Sequence, residues 1–461
     1  GQSLRKSPRM NLLESHRQSR ATQMEKIRMD VVRTEPYHPL SYCRWHTAGK
    51  SICIPRVIKV HKELFLRHSE NVMKLSNRAQ TLQESAIRKL DGIIQTISGV
   101  DFYRLNIGQP DIPTPPAMMH AIVEFQTNVL SYGPASGTPS CRKAFASYHS
   151  LWQPKLTAKH IAVTTGGSEA LLFAFTAICD PGDEILAPTP FYTNYNGFAT
   201  VAGATIKPIP TSIETNFALP TDAELDTIKT AKTRAFVFSN PSNPTGAVYS
   251  KSEVERIARW CHRNGIFLIS DEVYRRIWFD TPPATALEFD EVADAVVVID
   301  SLSKTWSACG LRLGALISRN TELMEKVERL GQARLGPQPL AQHVGIAALE
   351  MPETYYESIR LTWKERVDVL ANSLQDIEGV QFNKPTGAFY SMVELPVDSS
   401  EAFARYLITD FRSERNGSLE SLVVAPGSGF YVDGKRGETQ IRLAAVLEPT
   451  KIIRAVELLA E

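Results

Sequence analysis

The sequence predicts an α/β fold: a large domain with a mostly parallel sheet between helices, followed by a smaller α+β domain. Three observations carry this. Short apolar, β-branched runs such as Ala295–Ile299 read as strands buried on both faces, and helical patterns separate them. Asn243, Asp271 and Lys304 each stand just past the carboxyl end of such a run, where ligands bind in open parallel sheets. After residue 351 the pattern changes to one long amphipathic helix and short strands that read as antiparallel.

The chain has 461 residues, too many for one compact core, so more than one domain is expected. The boundaries read as a basic, structureless extension (1–72), an arm with part of the small domain (73–115), a large cofactor-binding domain (116–350) and a C-terminal small domain (351–461). A net charge of +1 gives no reason to expect nucleic acid or an acidic membrane surface. No apolar run approaches the ~20 residues of a membrane span, so no membrane partner is expected. Six scattered cysteines without a CxxC pair argue against a zinc site or disulfide framework, so no metal is expected and a reducing compartment is. That points to the cytoplasm.

Residues 1–72 are rich in Arg and carry five of the ten histidines, with no sustained periodicity. An organellar transit peptide and a basic arm for nucleic acid are the alternatives to a structureless extension. A folded start is read at Met73, with Leu82, Ile87, Leu90, Ile93 and Ile94 near helical spacing. Phe102–Ile107 reads as a short strand running into Gly108-Gln109-Pro110-Asp111, whose glycine and proline suggest backbone passing close to something. A helix is expected around Ala117–Gln126. The loop Ser131–Gly137 then places an aromatic, Tyr132, at its entrance.

Ile161–Phe173 reads as strand, glycine turn and helix. Gly166, Gly167 and Ser168 at the helix start expose backbone N–H groups that suit one phosphate, although a simple cap explains Ser168 equally well. A short strand over Glu184–Ala187 leads to Tyr192, which offers a plane to stack on a cofactor or to pack into the core. Arg234–Ser239 exits into Asn240-Pro241-Ser242-Asn243-Pro244, a rigid turn that aims an amide. Gly265–Ser270 exits into Asp271-Glu272-Val273-Tyr274, and a carboxylate there requires a cationic partner.

Asp300–Gly314 holds Ser301, Ser303, Lys304 and Arg312. One lysine after a strand is ordinarily a surface residue. With serines and an arginine to hold a phosphate, it reads as the amine that binds a phosphorylated aldehyde cofactor as a Schiff base. The expected convergence with Asn243 and Asp271 favours this second reading. Beyond 351, a helix over Tyr355–Gln375 precedes strands at Val380–Phe382, Ala388–Val393, Leu422–Pro426 and Gln440–Val446. Arg442 interrupts the last of these, for an ion pair or for a ligand carboxylate. Asn416-Gly417-Ser418 is read as a loop rather than a glycosylation site.

From Met73 onward these motifs, in this order, resemble the class I/II aminotransferases, fold type I enzymes dependent on pyridoxal 5′-phosphate, in an aspartate aminotransferase-like form. The resemblance implies an L-amino acid, aspartate or one similar to it, as donor and a 2-oxo acid such as 2-oxoglutarate as acceptor. It implies that Lys304 carries the cofactor as an aldimine and moves the proton, that Asp271 pairs with the pyridinium nitrogen, and that Tyr274 and Asn243 bind the phenolic oxygen. Gly167, Ser168, Ser301 and Arg312 are implied phosphate ligands, and Tyr192 the stacking ring. Arg442 is the implied clamp on the substrate carboxylate, with Gly108 beside it. Tyr132 is similar to a residue that reaches the partner subunit's phosphate, which implies a homodimer with shared sites. Arg334, in a segment that family members project toward the neighbouring site, is a candidate for a second substrate carboxylate.

The family usually begins near the equivalent of Met73, so residues 1–72 depart from it. Two other functions stay open on the sequence: a C–S lyase or ring-forming synthase using the same lysine and aspartate, and a DNA-binding regulator with an aminotransferase-like domain.

Overall fold

The computed structural model describes residues 73–82 and 86–461, together with two three-residue strands, β1 (Trp45–Thr47) and β2 (Lys50–Ile52), paired antiparallel. The remaining expectations for 1–72 lie outside the described residues. Ser76–Glu461 forms one unit by its internal packing. In it, β3 (Val100–Arg104) precedes β4 (Ile161–Thr164), β5 (Glu184–Thr189), β6 (Thr205–Pro210), β7 (Thr233–Ser239), β8 (Phe267–Asp271), β9 (Val296–Ser301) and β10 (Gly314–Ser318).

β4 to β10 make one seven-stranded sheet of order β4-β10-β9-β8-β7-β5-β6, parallel except for β10. Successive side chains on a strand point to opposite faces, and the core divides accordingly. Val296 and Val298 join one hydrophobic cluster, whereas Val297 and Ile299 join the other. Each face is covered by helices: Gly167–Ile178 and Thr321–Arg334 supply Leu171, Phe175, Leu323 and Val327 to one, and Lys251–Arg263 supplies Val254, Ile257 and Trp260 to the other. Ser250 and Glu253 close a capping box at the start of Lys251–Arg263, so the chain turns sharply from the Asn-Pro loop into helix.

β11 (Gln381–Phe382), β12 (Tyr390–Glu394), β13 (Ser413–Arg415), β14 (Ser418–Val423), β15 (Ala425–Pro426) and β16 (Gln440–Ala444) follow the helix Glu353–Leu374. They form an antiparallel sheet β11-β12-β16-β15 and a second sheet β13-β14-β3. In the latter, Val100–Arg104 pairs in parallel with Leu419–Val423. An early segment thus shares a sheet with the end of the chain. The Asn416-Gly417 pair takes positive φ between β13 and β14, a tight hairpin turn.

Two strands of the large sheet were not legible in the sequence. Thr205–Pro210 carries two prolines, which suits its place at the sheet edge. Gly314–Ser318 follows the lysine motif after only a short turn and returns antiparallel between β4 and β9. The helix expected across Leu82–Ile94 is instead two, Asn77–Thr81 and Ala86–Ile94.

Candidate active site

Three strand ends bring the chemistry together. Asp271 closes β8, Ser301 closes β9 with Lys304 just beyond, and Asn243 follows the turn after β7. All line one cavity of about 670 Å³, within the ordinary range for a small-molecule site. Gly108, Gly167, Ser168, Tyr192, Tyr274, Arg312 and Arg442 line it too.

Lys304 Nζ donates to Gly108 O at 2.8 Å and stands 4.0 Å from Cys309 Sγ. Gly108 has to be glycine: a Cβ there would overlap the Tyr390 hydroxyl. That close approach is the reason for the glycine in the Gly108–Asp111 turn. Across the cavity Tyr274 and Tyr390 share a 2.8 Å hydroxyl contact, and burial raises the Tyr274 phenol well above its usual pKa.

Asp271 is buried, and desolvation raises its carboxyl to about 6 despite a hydrogen bond from the Tyr195 hydroxyl to Oδ2 and one from the Val273 backbone. Nearby Asp300 pushes it the same way. Its second oxygen, Oδ1, is buried without a hydrogen-bond partner among the described residues. Such an oxygen calls for a cationic N–H from outside the chain.

Opposite, the helix Gly167–Ile178 points its amino terminus at the cavity, with Gly166 at φ 76° as its cap. A Cβ on Gly166 would come 2.6 Å from Arg312 Nη2. Arg312 itself takes φ 56° and gives its guanidinium to two backbone carbonyls, Cys309 O and Thr165 O, and to no carboxylate among the described residues. The Ser301 and Ser303 hydroxyls lie 2.9 Å apart beside it. Unpaired helix N–H groups, a guanidinium and two hydroxyls form a cradle for a phosphate dianion.

Arg442 is the third cation of the cavity lining and the most deeply set. It is 4% exposed, and burial lowers its pKa. Its contacts are Asn106 O at 2.7 Å, Asn243 Oδ1 at 3.1 Å, and the rings of Tyr390 and Phe430 at 4.5 and 4.9 Å. Among the described residues no carboxylate pairs with it, and its Nε is unpartnered. Of the two readings open on the sequence, the internal ion pair is absent here and a ligand carboxylate fits.

Two expected residues are not in this cavity's lining. Tyr132 is 85% exposed. Arg334 ends the helix Thr321–Arg334, pairs with Glu169, donates to Ala135 O and lies over the Phe173 ring. Within one chain, neither reaches the site. Conversely, Tyr195, Tyr390, Asn106 and Cys309 belong to the site without having been singled out. Tyr195 stands three residues after Tyr192, a findable signal, whereas Tyr390 sits on a remote strand and leaves no local trace.

The arrangement fits pyridoxal 5′-phosphate on four counts. The cavity presents a phosphate cradle, an amine, an orphaned buried carboxylate oxygen for the ring nitrogen, and a separate guanidinium for a substrate carboxylate.

Comparison with known proteins agrees. The model for aminotransferase class I and II matches residues 100–459. The chain is 29% identical over 398 residues to an aspartate aminotransferase of Streptomyces avermitilis, covering 83% of this chain and 95% of that protein. It is 30% identical over 436 residues to the bifunctional aspartate aminotransferase and glutamate/aspartate-prephenate aminotransferase of Petunia hybrida, covering 89% and 85%. The structure of Thermus thermophilus aspartate aminotransferase with maleate aligns at a TM-score of 0.77 and 26% identity, over 84% of this chain and 99% of that one. The chain belongs to the class I and II aminotransferases, enzymes that transfer amino groups with pyridoxal 5′-phosphate.

Proposed function

We propose that this aminotransferase takes aspartate or a closely similar L-amino acid as donor and a 2-oxo acid such as 2-oxoglutarate as acceptor, in a homodimer with shared sites. The observation that carries the reading is Arg442, a buried guanidinium that meets no carboxylate among the described residues. A bound amino acid supplies that carboxylate, and the bidentate fork fixes its orientation. The donor class is supported by the aspartate aminotransferases among the relatives and by the dicarboxylate in the Thermus structure.

Pyridoxal 5′-phosphate, when bound, supplies an electron sink that lets the substrate α-proton leave. The buried charge of Asp271 is costly until a cation meets Oδ1, so Asp271 would hold the ring nitrogen protonated. Gly167, Ser168, Ser301 and Arg312 would hold its phosphate, Tyr192 would stack on its ring, and Asn243 with Tyr274 would bind its phenolic oxygen. Lys304, held at the Gly108 carbonyl on the substrate side of the cavity, accepts the α-proton at Nζ and returns it.

The dimer is supported by the exposed apolar residues around Tyr132: Val123, Val129, Leu130 and Leu335. Tyr132 and Arg334 then act in the neighbouring site. In this reading 116–350 binds the cofactor, while 73–115 joins 351–461 through the β3–β14 pairing. The four described cysteines are free thiols, which supports a cytoplasmic location; imaging the tagged full chain checks it. The deciding experiment is an amino-donor screen against 2-oxoglutarate and pyruvate, with Lys304→Ala as the blank. Aspartate should lead and leave the pyridoxamine form. Release of ammonia and pyruvate without amino transfer would make the protein a lyase.

A further inference from the structure

A second cavity, of about 150 Å³, opens beyond the strand-end loop that carries Asp271 and Tyr274. Arg275, Arg276 and Arg360 face it, with Trp152, Trp278 and Glu353 in its wall. Three guanidiniums against one carboxylate is an unusual lining, because Arg is seldom buried without a partner. Yet Arg275 is 3% and Arg276 8% exposed.

The aromatic rings explain how these cations are held. Trp152 meets the guanidiniums of Arg275 and Arg276 at 4.7 and 4.8 Å, Tyr356 meets Arg276 at 4.0 Å, and Trp278 meets Arg360 at 4.4 Å. Stacking fixes a guanidinium in place while leaving its edge N–H groups free to donate. Arg275 pairs with Glu272 on the core side. Its Nε and Nη1 find no acceptor among the described residues, although both are buried. Arg276 and Arg360 share Glu353, whose side chain is 52% exposed and receives 3.0 and 3.5 Å contacts from them. Glu353 thus reads as a displaceable occupant from the rim. Glu272, whose Oε1 accepts from Ser270, Thr285 and the Ala286 backbone, is fixed.

We propose that this cavity binds a phosphate group, free or on a small metabolite, which takes the place of Glu353 between Arg276 and Arg360 and accepts from Arg275. Tetrahedral oxyanions present acceptors in several directions, matching donors that converge from three side chains, whereas a planar carboxylate satisfies only one fork. A volume of about five liquid waters holds one phosphate and little more. The site is wired to the active site at close quarters. Arg276 lies two residues from Tyr274 and donates to the Tyr148 hydroxyl; the adjacent His149 hydrogen-bonds Asp300, which neighbours Ser301.

The test uses the holoenzyme, so that the cofactor's phosphate already fills the first cradle. Inorganic phosphate, and in a second arm glycerol 3-phosphate, is titrated at constant ionic strength while tryptophan fluorescence is read. We expect a saturable change that is lost in Trp278→Phe. Arg360→Gln should weaken binding about tenfold, the weight of one charge-assisted hydrogen bond. Glu353→Gln removes the competitor and should tighten it by about threefold or more, a gain that misfolding cannot produce. Saturation by inorganic phosphate alone supports a free-ion site, and saturation by both supports a site open to esters. No saturable response, or one that Arg360→Gln and Glu353→Gln both leave unchanged, overturns the proposal.

Discussion

The Tyr195 hydroxyl donates a 2.9 Å hydrogen bond to Asp271 Oδ2, while Asp271 Oδ1, in the same buried carboxylate, meets no donor among the described residues. One oxygen is therefore anchored by the chain and the other is kept for a ligand. A fully paired carboxylate would be more comfortable and less useful: its charge would already be spent.

That half-paired state makes the cofactor-free protein sensitive to pH. The folded-state pKa of Asp271, about 6, lies above its ordinary value of 3.8. The proton is therefore bound more tightly in the folded chain than in the unfolded one. This contribution to stability is full below about pH 4 and is lost as pH rises toward 6, a cost on the order of 2–3 kcal/mol. Asp271→Asn, neutral and of the same shape, should thus be more stable than the parent at pH 8 when both are stripped of cofactor, and should bind cofactor poorly. Urea melts at pH 4.5 and pH 8 check this; an Asn variant less stable at pH 8 contradicts the buried-charge account.

Arg442→Lys keeps the charge but loses the planar fork and its stacking on Tyr390 and Phe430. We expect kcat/KM to fall by about a hundredfold across α-amino acids, mainly through KM, with the cofactor spectrum unchanged. A loss confined to kcat would move Arg442 from substrate binding to the chemistry.

Gly108→Ala places a methyl group where the Tyr390 hydroxyl lies and shifts the carbonyl that accepts from Lys304. Transamination should drop by at least about tenfold while the far-UV spectrum stays native. Gly92→Ala is the control. Gly92 lies in the helix Ala86–Ile94 with open space around it, so alanine there should leave activity intact and add about 0.5–1 kcal/mol.

Arg334→Ala tests the second-carboxylate role from across the dimer. The ratio of kcat/KM for aspartate to that for alanine should fall by about tenfold or more. An unchanged ratio would leave Arg334 as the structural partner of Glu169 and Ala135.

Much of this was legible in the chain itself. Buried strands announce themselves as β-branched runs, and polar residues at their carboxyl ends are conspicuous because burial there is costly. Asn243, Asp271, Lys304 and the Gly166–Ser168 turn were found this way, and all but Gly166 line the site, with Gly166 capping the helix that faces it. Local sequence also foretold the long helix, observed at Glu353–Leu374.

What only the tertiary structure decided are the relations between distant positions. Gly108 meets Tyr390 across 282 residues, which is the difference of their numbers. Arg442 reaches Asn106 and Asn243 from the last strand. Proline masked the edge strand Thr205–Pro210, since pairing on one side only can tolerate what local propensity forbids. Arg275, Arg276 and Arg360 form a cavity because a strand-end loop and the helix beginning at Glu353 pack together. Periodicity records which face of an element is buried. It does not record what that face meets, and both the lack of a carboxylate beside Arg442 among the described residues and the crowding at Gly108 are facts about meeting.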